Sequence, residues 1–426
     1  MVNNKYKRIL IITGVNLTSN SATDITLRSY FENVPKEKLL ILTMKDTNQP
    51  FARTVIIKSE IFGKLRKFFQ KILLNKVDQI DGRNLIPGAI VDDNNVISIK
   101  QKMFAVGTAY IDMFYHNISK NVIKTIDGFK PEVIYTIPCA IGLIRLTNRI
   151  SNRYNIPVVP HFMDDWISTI YTGNVLLKLP RIILLFYFKR MLKYIRVGLC
   201  ISKKMCEEYE IKYHKEFLAL MNTINLKNFR VLHNGIKNKS NELVFTFFGG
   251  LHLNRWRSLL TLSEVLISLS SIINKSLILE IYTSKDNIEK FSNKFKYQNV
   301  IFHDFIDSKS AYLKMQESDF LIHVESFDDS VIKFTRLSIS TKIPEYLAAG
   351  TPIIAIGPLN IASIEYLNEN KCAYVITNLN NYKMQNILLS AIKGVNDRFY
   401  SQNSLQLVES NHSKTQLALF HGLFVN

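Results

Sequence analysis

Four cysteines in 426 residues, Cys139, Cys200, Cys206 and Cys372, with no C-x-x-C pair, are too few and too scattered for a disulfide framework and offer no zinc site. Long apolar runs are missing too. The stretch that comes nearest, Ile182 to Phe188, falls far short of the roughly 20 residues of a spanning helix. The basic start MVNNKYKRILIITG passes straight into a strand-like run without the apolar core of a secretory signal, so the expectation is a cytoplasmic chain. No Asp-x-Asp, no P-loop and no G-x-G-x-x-G occurs. Adjacent acids are present at Asp92-Asp93, Asp164-Asp165 and Asp328-Asp329, but in extended backbone such neighbours point apart. The expectation is a chemistry without metal and without a cofactor. Acidic residues are scarce as well: 35 against 54 Lys and Arg, a net charge of +19 that suits a polyanionic neighbour. Nucleic acid, an anionic membrane and a phosphorylated substrate all qualify.

What is present is an ordinary globular composition, 47% hydrophobic and 21% charged, long enough for two or three domains. Short apolar runs separated by helix-length intervals recur at Ile9-Ile12, Leu39-Leu42, Val133-Tyr135, Pro157-Val159 and Leu199-Ile201, which predicts parallel β-α-β units. Ser202 is placed to cap the helix of SKKMCEEYEIKY. Between 225 and 242 the sequence turns polar and carries an Asn234-Gly235 turn signal. The rhythm then restarts at Val244-Phe248, Leu277-Tyr282, Val300-Phe302, Phe320-Ile322 and Pro352-Ile356. The expected organisation is an N-terminal domain over 1–225, a linker over 226–242, a second domain over 243–395 and a helical tail over 396–426 packing back on the first domain. Ligands of doubly wound sheets collect beyond the carboxyl ends of the strands, so two such domains predict a site in a cleft between them.

The densest segment is SISTKIPEYLAAGTPIIAIGP. Ser340 and Thr341 are suited to cap a helix with Pro344 and Glu345 in its first turn, and Gly350 to end it. Taken alone this is a well-made helix whose Glu345 complements the dipole. Lys342, three residues earlier on nearly the same face, adds a second meaning: a carboxylate accepts both hydroxyls of a ribose, and an ammonium meets a phosphate.

Ser340, Lys342, Glu345, Tyr346, Ala348, Ala349, Gly350 and Pro352 together resemble the S-x-x-K-x-x-E-Y-x-A-A-G-x-P nucleotide-sugar motif of retaining GT-B glycosyltransferases of family four, in particular bacterial enzymes of capsule and O-antigen synthesis. The similarity extends over FFGGLHLNRWRSL, IPVVPHFMDDW, LCISKKMCEEY and LIHVESFDDS, and so spans both halves in order. It implies an α/β chain of two Rossmann-like domains facing a cleft, with the nucleotide sugar on the second. Gly250 would admit close backbone approach, Asn254 would line the same loop, and Arg255, or alternatively Arg257, would hold the donor diphosphate. The family's paired glutamates are half present: Glu345 fits the second, while Leu337 stands eight residues before it. Glu325, Asp328 and Asp329 are candidates for the sugar-side carboxylate, and Arg336 for a phosphate contact. His161 and Asp164, with Asp165, follow a strand where similar enzymes place a catalytic histidine or acid, and Gly14 marks the acceptor-side loop.

Residues 52–76 interleave Lys64, Arg66, Lys67, Lys71 and Lys76 with Phe62, Leu65, Phe68, Phe69, Ile72 and Leu73 at spacings of one amphipathic helix. From Trp166 to Cys206 there is no acid, while Lys178, Arg181, Lys189, Arg190, Lys193 and Arg196 flank the run at Ile182. Such stretches read as membrane-surface elements. The function expected is transfer of a sugar, with retention, from a nucleotide diphosphate donor to a lipid-linked oligosaccharide, on the inner face of the cell membrane. A soluble nucleotide-sugar epimerase or hydrolase of the same fold is the alternative. A nucleic-acid-binding role is motivated by charge alone, with no reader module to support it.

Overall fold

The structure is a computed structural model that describes residues 6–14, 17, 22–43, 50–57, 99–114, 118–229, 241–395, 398–412 and 414–425. It divides into two compact units, one of residues 1–221 with 417–426 and one of 222–416.

In the first unit seven strands run β1 Ile9–Thr13, β2 Leu39–Thr43, β3 Arg53–Ile56, β4 Val133–Thr136, β5 Val158–Phe162, β6 Val197–Cys200 and β7 Glu216–Ala219. All pair in parallel, in the order β3-β2-β1-β4-β5-β6-β7. Ile9 lies opposite both Leu39 and Val133, which fixes the central register. Helices cover both faces, so the central strands are buried throughout, and that is why they read as unbroken apolar runs. The second unit repeats the plan with six strands: β8 Glu242–Phe248, β9 Ser276–Tyr282, β10 Val300–His303, β11 Phe320–Val324, β12 Ile353–Ile356 and β13 Ala373–Ile376. Their order is β10-β9-β8-β11-β12-β13, again all parallel.

Three strands are absent from the sequence reading, β3, β7 and β13, and all three are edge strands. An edge strand is half solvated, so β3 has no buried position to produce an apolar run. β3 also corrects the helix expected from residue 52: Thr54, Val55 and Ile56 are β-branched and pair with Ile41, Leu42 and Thr43. The rest of that expected helix, with Lys64, Arg66, Lys67, Lys71 and Lys76, lies outside the described residues, as does the Asn234-Gly235 turn. Ser202 caps the helix Lys203–Tyr213 as expected, its Oγ accepting from Met205 N at 3.0 Å.

A longer apolar helix than the Ile182 run is Arg255–Ile273, 19 residues and apolar enough by composition to cross a membrane. Its buried Leu259, Leu262, Val265, Leu266 and Leu269 belong to the core of the second unit, together with Phe245 and Phe247 of β8 and Leu279 and Ile281 of β9. It is a core helix. At the end of the chain, Phe420 and Phe424 belong to the first unit: Phe420 stacks on Tyr30 at 5.2 Å and meets Phe31 edge-on at 5.0 Å, and Val425 bridges Tyr6.

Candidate functional site

In a sheet of this order the ligand crevice lies where the chain reverses its direction of winding. For the second unit that is between the neighbouring strands β8 and β11. β8 ends at Phe248 and is followed by Gly249-Gly250, where a Cβ on Gly250 would collide with the ring of His252. Asn254 then turns the chain through a left-handed conformation (φ 57°), buries its side chain, donates its amide to the Asp328 carboxylate, and opens the helix Arg255–Ile273.

That helix starts with the two arginines, and each meets an acid from the segment after β11. Arg255 Nη2 lies 3.3 and 3.4 Å from the two carboxylate oxygens of Glu325. Arg257 Nη1 lies 3.6 Å from Asp328 Oδ2 in a half-exposed pair. The two pairs differ in burial: the Glu325 side chain is 4% exposed and that of Arg255 19%. Ser258, one turn into the helix, donates its hydroxyl to the Glu325 carbonyl at 3.1 Å, so this helix is tied to the segment after β11 by a hydrogen bond to main chain as well as by charge. Asp329 is exposed in the first turn of the helix Asp329–Thr335, and Arg336 caps the other end of that helix.

Lys342 and Glu345 come together beside this point. Lys342 Nζ lies 2.6 Å from Glu345 Oε2, both side chains partly exposed. The helix here is Ile343–Ala349, one residue later than the capping pattern suggests: Lys342 itself is the cap residue, and Ser340 accepts from Lys342 N at 3.3 Å. Gly350 ends the helix as expected, with φ 67°. Tyr346 points inward, its hydroxyl accepting from Phe248 N at 3.0 Å, which fastens this helix to the end of β8. The charge on Glu345 also reaches Tyr312, whose pKa is raised to about 12, chiefly by burial and next by that carboxylate. Leu337, where the resembling family has its first glutamate, is buried in the core.

Two residues of this region escape the sequence reading, His323 and Ser363. His323 is buried in β11, with Nε2 3.1 Å from Ser363 Oγ, and Ser363 also donates to Glu325 Oε1 at 3.3 Å. The signal for them was faint. His323 stands between apolar residues of the wholly buried β11, and a polar side chain enclosed there needs a partner, whereas Ser363 carries no sequence signal of its own.

In the first unit His161 is fully buried within β5. Its Nδ1 meets the Tyr135 hydroxyl at 2.7 Å, and burial lowers its pKa to about 3, so the ring is neutral at pH 7. Asp164 is half-buried in the loop that follows, and its carbonyl accepts from Trp166 N at 2.8 Å. Asp165 is buried and accepts from the Tyr209 hydroxyl at 2.7 Å. Gly14 follows β1, which neighbours β4 at the reversal point of this sheet, and a Cβ there would rest 3.5 Å from Leu143. The helix Lys178–Met191 presents exposed Leu179, Ile182 and Phe186, continuing from exposed Val175 and Leu176, with Lys189 and Arg190 in its last turn. No group of three metal-ligating side chains occurs among the described residues.

No protein-family model matches the sequence, and no curated protein matches it at a significant level. The fold has many matches among solved structures. HepE of Anabaena, solved with UDP, superposes with a TM-score of 0.62 at 11% identity, over 98% of both chains. The chain has the GT-B fold. Trehalose 6-phosphate synthase of Burkholderia multivorans matches with a TM-score of 0.63 at 8% identity, over 98% of this chain and 95% of that one. WaaG, a glycosyltransferase involved in lipopolysaccharide biosynthesis, matches with a TM-score of 0.58 at 11% identity, over 97% of this chain and 99% of that one. HepE has also been solved with UDP-glucose. These GT-B neighbours are similar to the chain along nearly its whole length.

Proposed function

We propose that the protein is a glycosyltransferase that takes a hexose-like sugar from a nucleotide diphosphate and passes it, with retention, to a lipid-linked oligosaccharide of a bacterial surface polysaccharide such as capsule or O-antigen. The observation that carries the reading is that Arg255 opens the helix after β8 at the reversal point of the second sheet, while Lys342 and Glu345 start the helix that Tyr346 fastens to the end of β8. Transfer breaks the bond between the sugar C1 and a diphosphate oxygen, which leaves with the electron pair, and forms one to the oxygen of an acceptor hydroxyl, whose proton passes to the departing diphosphate, so negative charge grows on that phosphate as the bond breaks. Arg255, with Arg257 and Lys342, supplies fixed positive charge for it, and the amino end of the helix Arg255–Ile273 adds its partial charge. Glu345 accepts the ribose hydroxyls. The reading needs no metal ion. On the acceptor side Asp164 is the accessible member of the candidate pair, while the enclosed His161 suits a ring that ties β5 to β4 through Tyr135.

The exposed apolar side chains of the helix Lys178–Met191, edged by Lys189 and Arg190, favour a lipid-linked acceptor and a peripheral position on an anionic membrane over the soluble epimerase or hydrolase. Calorimetry against UDP, GDP, ADP and dTDP, followed by assay of the matching nucleotide sugars with a lipid-linked acceptor extract, tests the proposal. Binding of a nucleoside diphosphate and acceptor-dependent release of it are expected. Release that proceeds equally without acceptor would favour the hydrolase, and no binding to any of the four would end the donor reading.

A further inference from the structure

Glu325 stands where a sugar-side carboxylate would be sought, yet its surroundings leave a sugar hydroxyl little room. Its side chain is 4% exposed, and both of its oxygens are engaged: Oε1 accepts from Ser363 Oγ at 3.3 Å, faces Arg255 Nη2 at 3.4 Å and lies 3.6 Å from His323 Nε2, and Oε2 faces the same arginine nitrogen at 3.3 Å. Its backbone is fixed as well, its N–H donating to Ile356 O at 2.8 Å and its carbonyl accepting from Ser258 at 3.1 Å. Space behind it is closed: a Cβ on Gly357 would stand 3.0 Å from both Glu325 Cβ and Ile364 Cγ1.

We propose that Glu325 is a positioning residue that aims Arg255, and that Ser363 and His323 hold Glu325 for that purpose. The inference rests on the reading of Arg255 as a ligand of the donor diphosphate. Ser363 has one hydroxyl proton. When it goes to Glu325, His323 Nε2 must be the donor to Ser363 Oγ, which sets the tautomer of a ring that burial keeps neutral, its pKa lowered to about 4. The chain of donors therefore runs from His323 through Ser363 to Glu325, and Arg255 is the charged partner of the carboxylate. Glu325 takes only Nη2, and among the described residues no other side chain bonds the Arg255 guanidinium. Its Nε is buried without a hydrogen-bond partner, so Nη1 is the part of the fork left to meet an anion, already oriented, and less side-chain entropy is lost on binding.

Two effects of opposite sign decide the outcome of removing this charge. Neutralising Glu325 frees Arg255 to pull harder on a phosphate but also lets it wander. The buried, multiply fixed carboxylate predicts that orientation wins. The experiment is calorimetry of the tightest-binding nucleoside diphosphate of the four and of its parent nucleoside with the wild type, Glu325→Gln, Ser363→Ala, Arg255→Met and the double variant Glu325→Gln/Arg255→Met. Expected are diphosphate binding about tenfold weaker in Glu325→Gln, a smaller loss in Ser363→Ala, unchanged nucleoside binding, and no further loss when Glu325→Gln is added to Arg255→Met. Diphosphate binding that is unchanged or tighter in Glu325→Gln, or a full loss persisting on the Arg255→Met background, overturns the inference while leaving the donor reading intact. A wild type that binds none of the four removes the donor reading itself. Should Glu325→Gln fail to fold, Ser363→Ala alone decides: it keeps the Glu325 charge, and undiminished diphosphate affinity in it counts against the relay.

Discussion

Lys342 Nζ and Glu345 Oε2 lie 2.6 Å apart at the start of the helix Ile343–Ala349, so the cation and the carboxylate proposed to hold opposite parts of one nucleotide also neutralise each other. Both are partly exposed, and a pair of that kind is worth on the order of 1 kcal/mol or less. A ligand that offers two hydroxyls to the carboxylate and a phosphate to the ammonium can therefore replace the pair at small cost.

Glu345→Gln is expected to weaken nucleotide binding by about 1.5 to 3 kcal/mol, the range for hydrogen bonds to a charged group, with little change in melting temperature. Calorimetric titration with the nucleoside diphosphate checks it. Equal affinity in the variant and the parent would remove Glu345 from the site.

The two arginines are expected to separate in stability. Arg255→Ala leaves the buried Glu325 carboxylate without its charged partner, and breaking a buried pair from one side costs about 3–5 kcal/mol. Arg257 pairs in a half-exposed setting, and Arg257→Ala is expected to stay within about 0.5 kcal/mol of the parent. Urea unfolding of the two variants measures this, and similar midpoints would contradict the burial difference.

Acid should destabilise the protein from about pH 6.5 downwards. The folded-state pKa values of His161, His323 and His412 are lowered to about 3, 4 and 4 by burial, so below the unfolded value near 6.5 the unfolded chain binds protons that the folded one refuses. Each contributes a loss of about 1.4 kcal/mol per pH unit, continuing as pH falls until the folded pKa is reached. Thermal melts between pH 7 and pH 4.5 should show a shallower slope for His161→Gln than for the parent, and identical slopes would count against this assignment.

For the membrane, co-sedimentation with anionic but not zwitterionic liposomes is expected at low salt. Exchanging Ile182 and Phe186 for Glu, both exposed and so of little consequence for folding, should abolish it while leaving nucleotide binding unchanged. A parent protein that ignores anionic liposomes would favour the soluble alternative.

Chelation by EDTA is expected to leave transferase activity nearly intact, because side chains of Arg255, Arg257 and Lys342 carry the charge neutralisation in the proposed mechanism. Strong inhibition that magnesium or manganese restores would overturn the metal-free reading.

The alternation of strands and helices is legible in the order of residues alone. Parallel strands covered on both faces are mostly apolar, and β1, β2, β4 and β11, buried at every position, announce themselves for that reason, as do the longer β8 and β9, whose apolar runs are broken by Thr246 and Glu280. The edge strands β3, β7 and β13 did not, since each is only four residues long, β3 and β7 are partly solvated, and propensity alone is a weak signal; the edge strand β10 was legible through its apolar Val300, Ile301 and Phe302. Local chemistry was legible wherever it depends on a few neighbouring residues: the Ser202 cap, the Gly350 stop, and the closeness of Lys342 to Glu345 on one helical turn. Strand order and long-range partners were not. Only the tertiary structure brings Arg255 to Glu325, 70 residues away, because β8 and β11 become neighbours by crossing over intervening chain, and brings Ser363, in the helix after β12, to both His323 and Glu325, because β12 pairs with β11. The role of a buried carboxylate depends on which charge it meets, and that is settled by the order of strands in the sheet and not by the residues beside it in the chain.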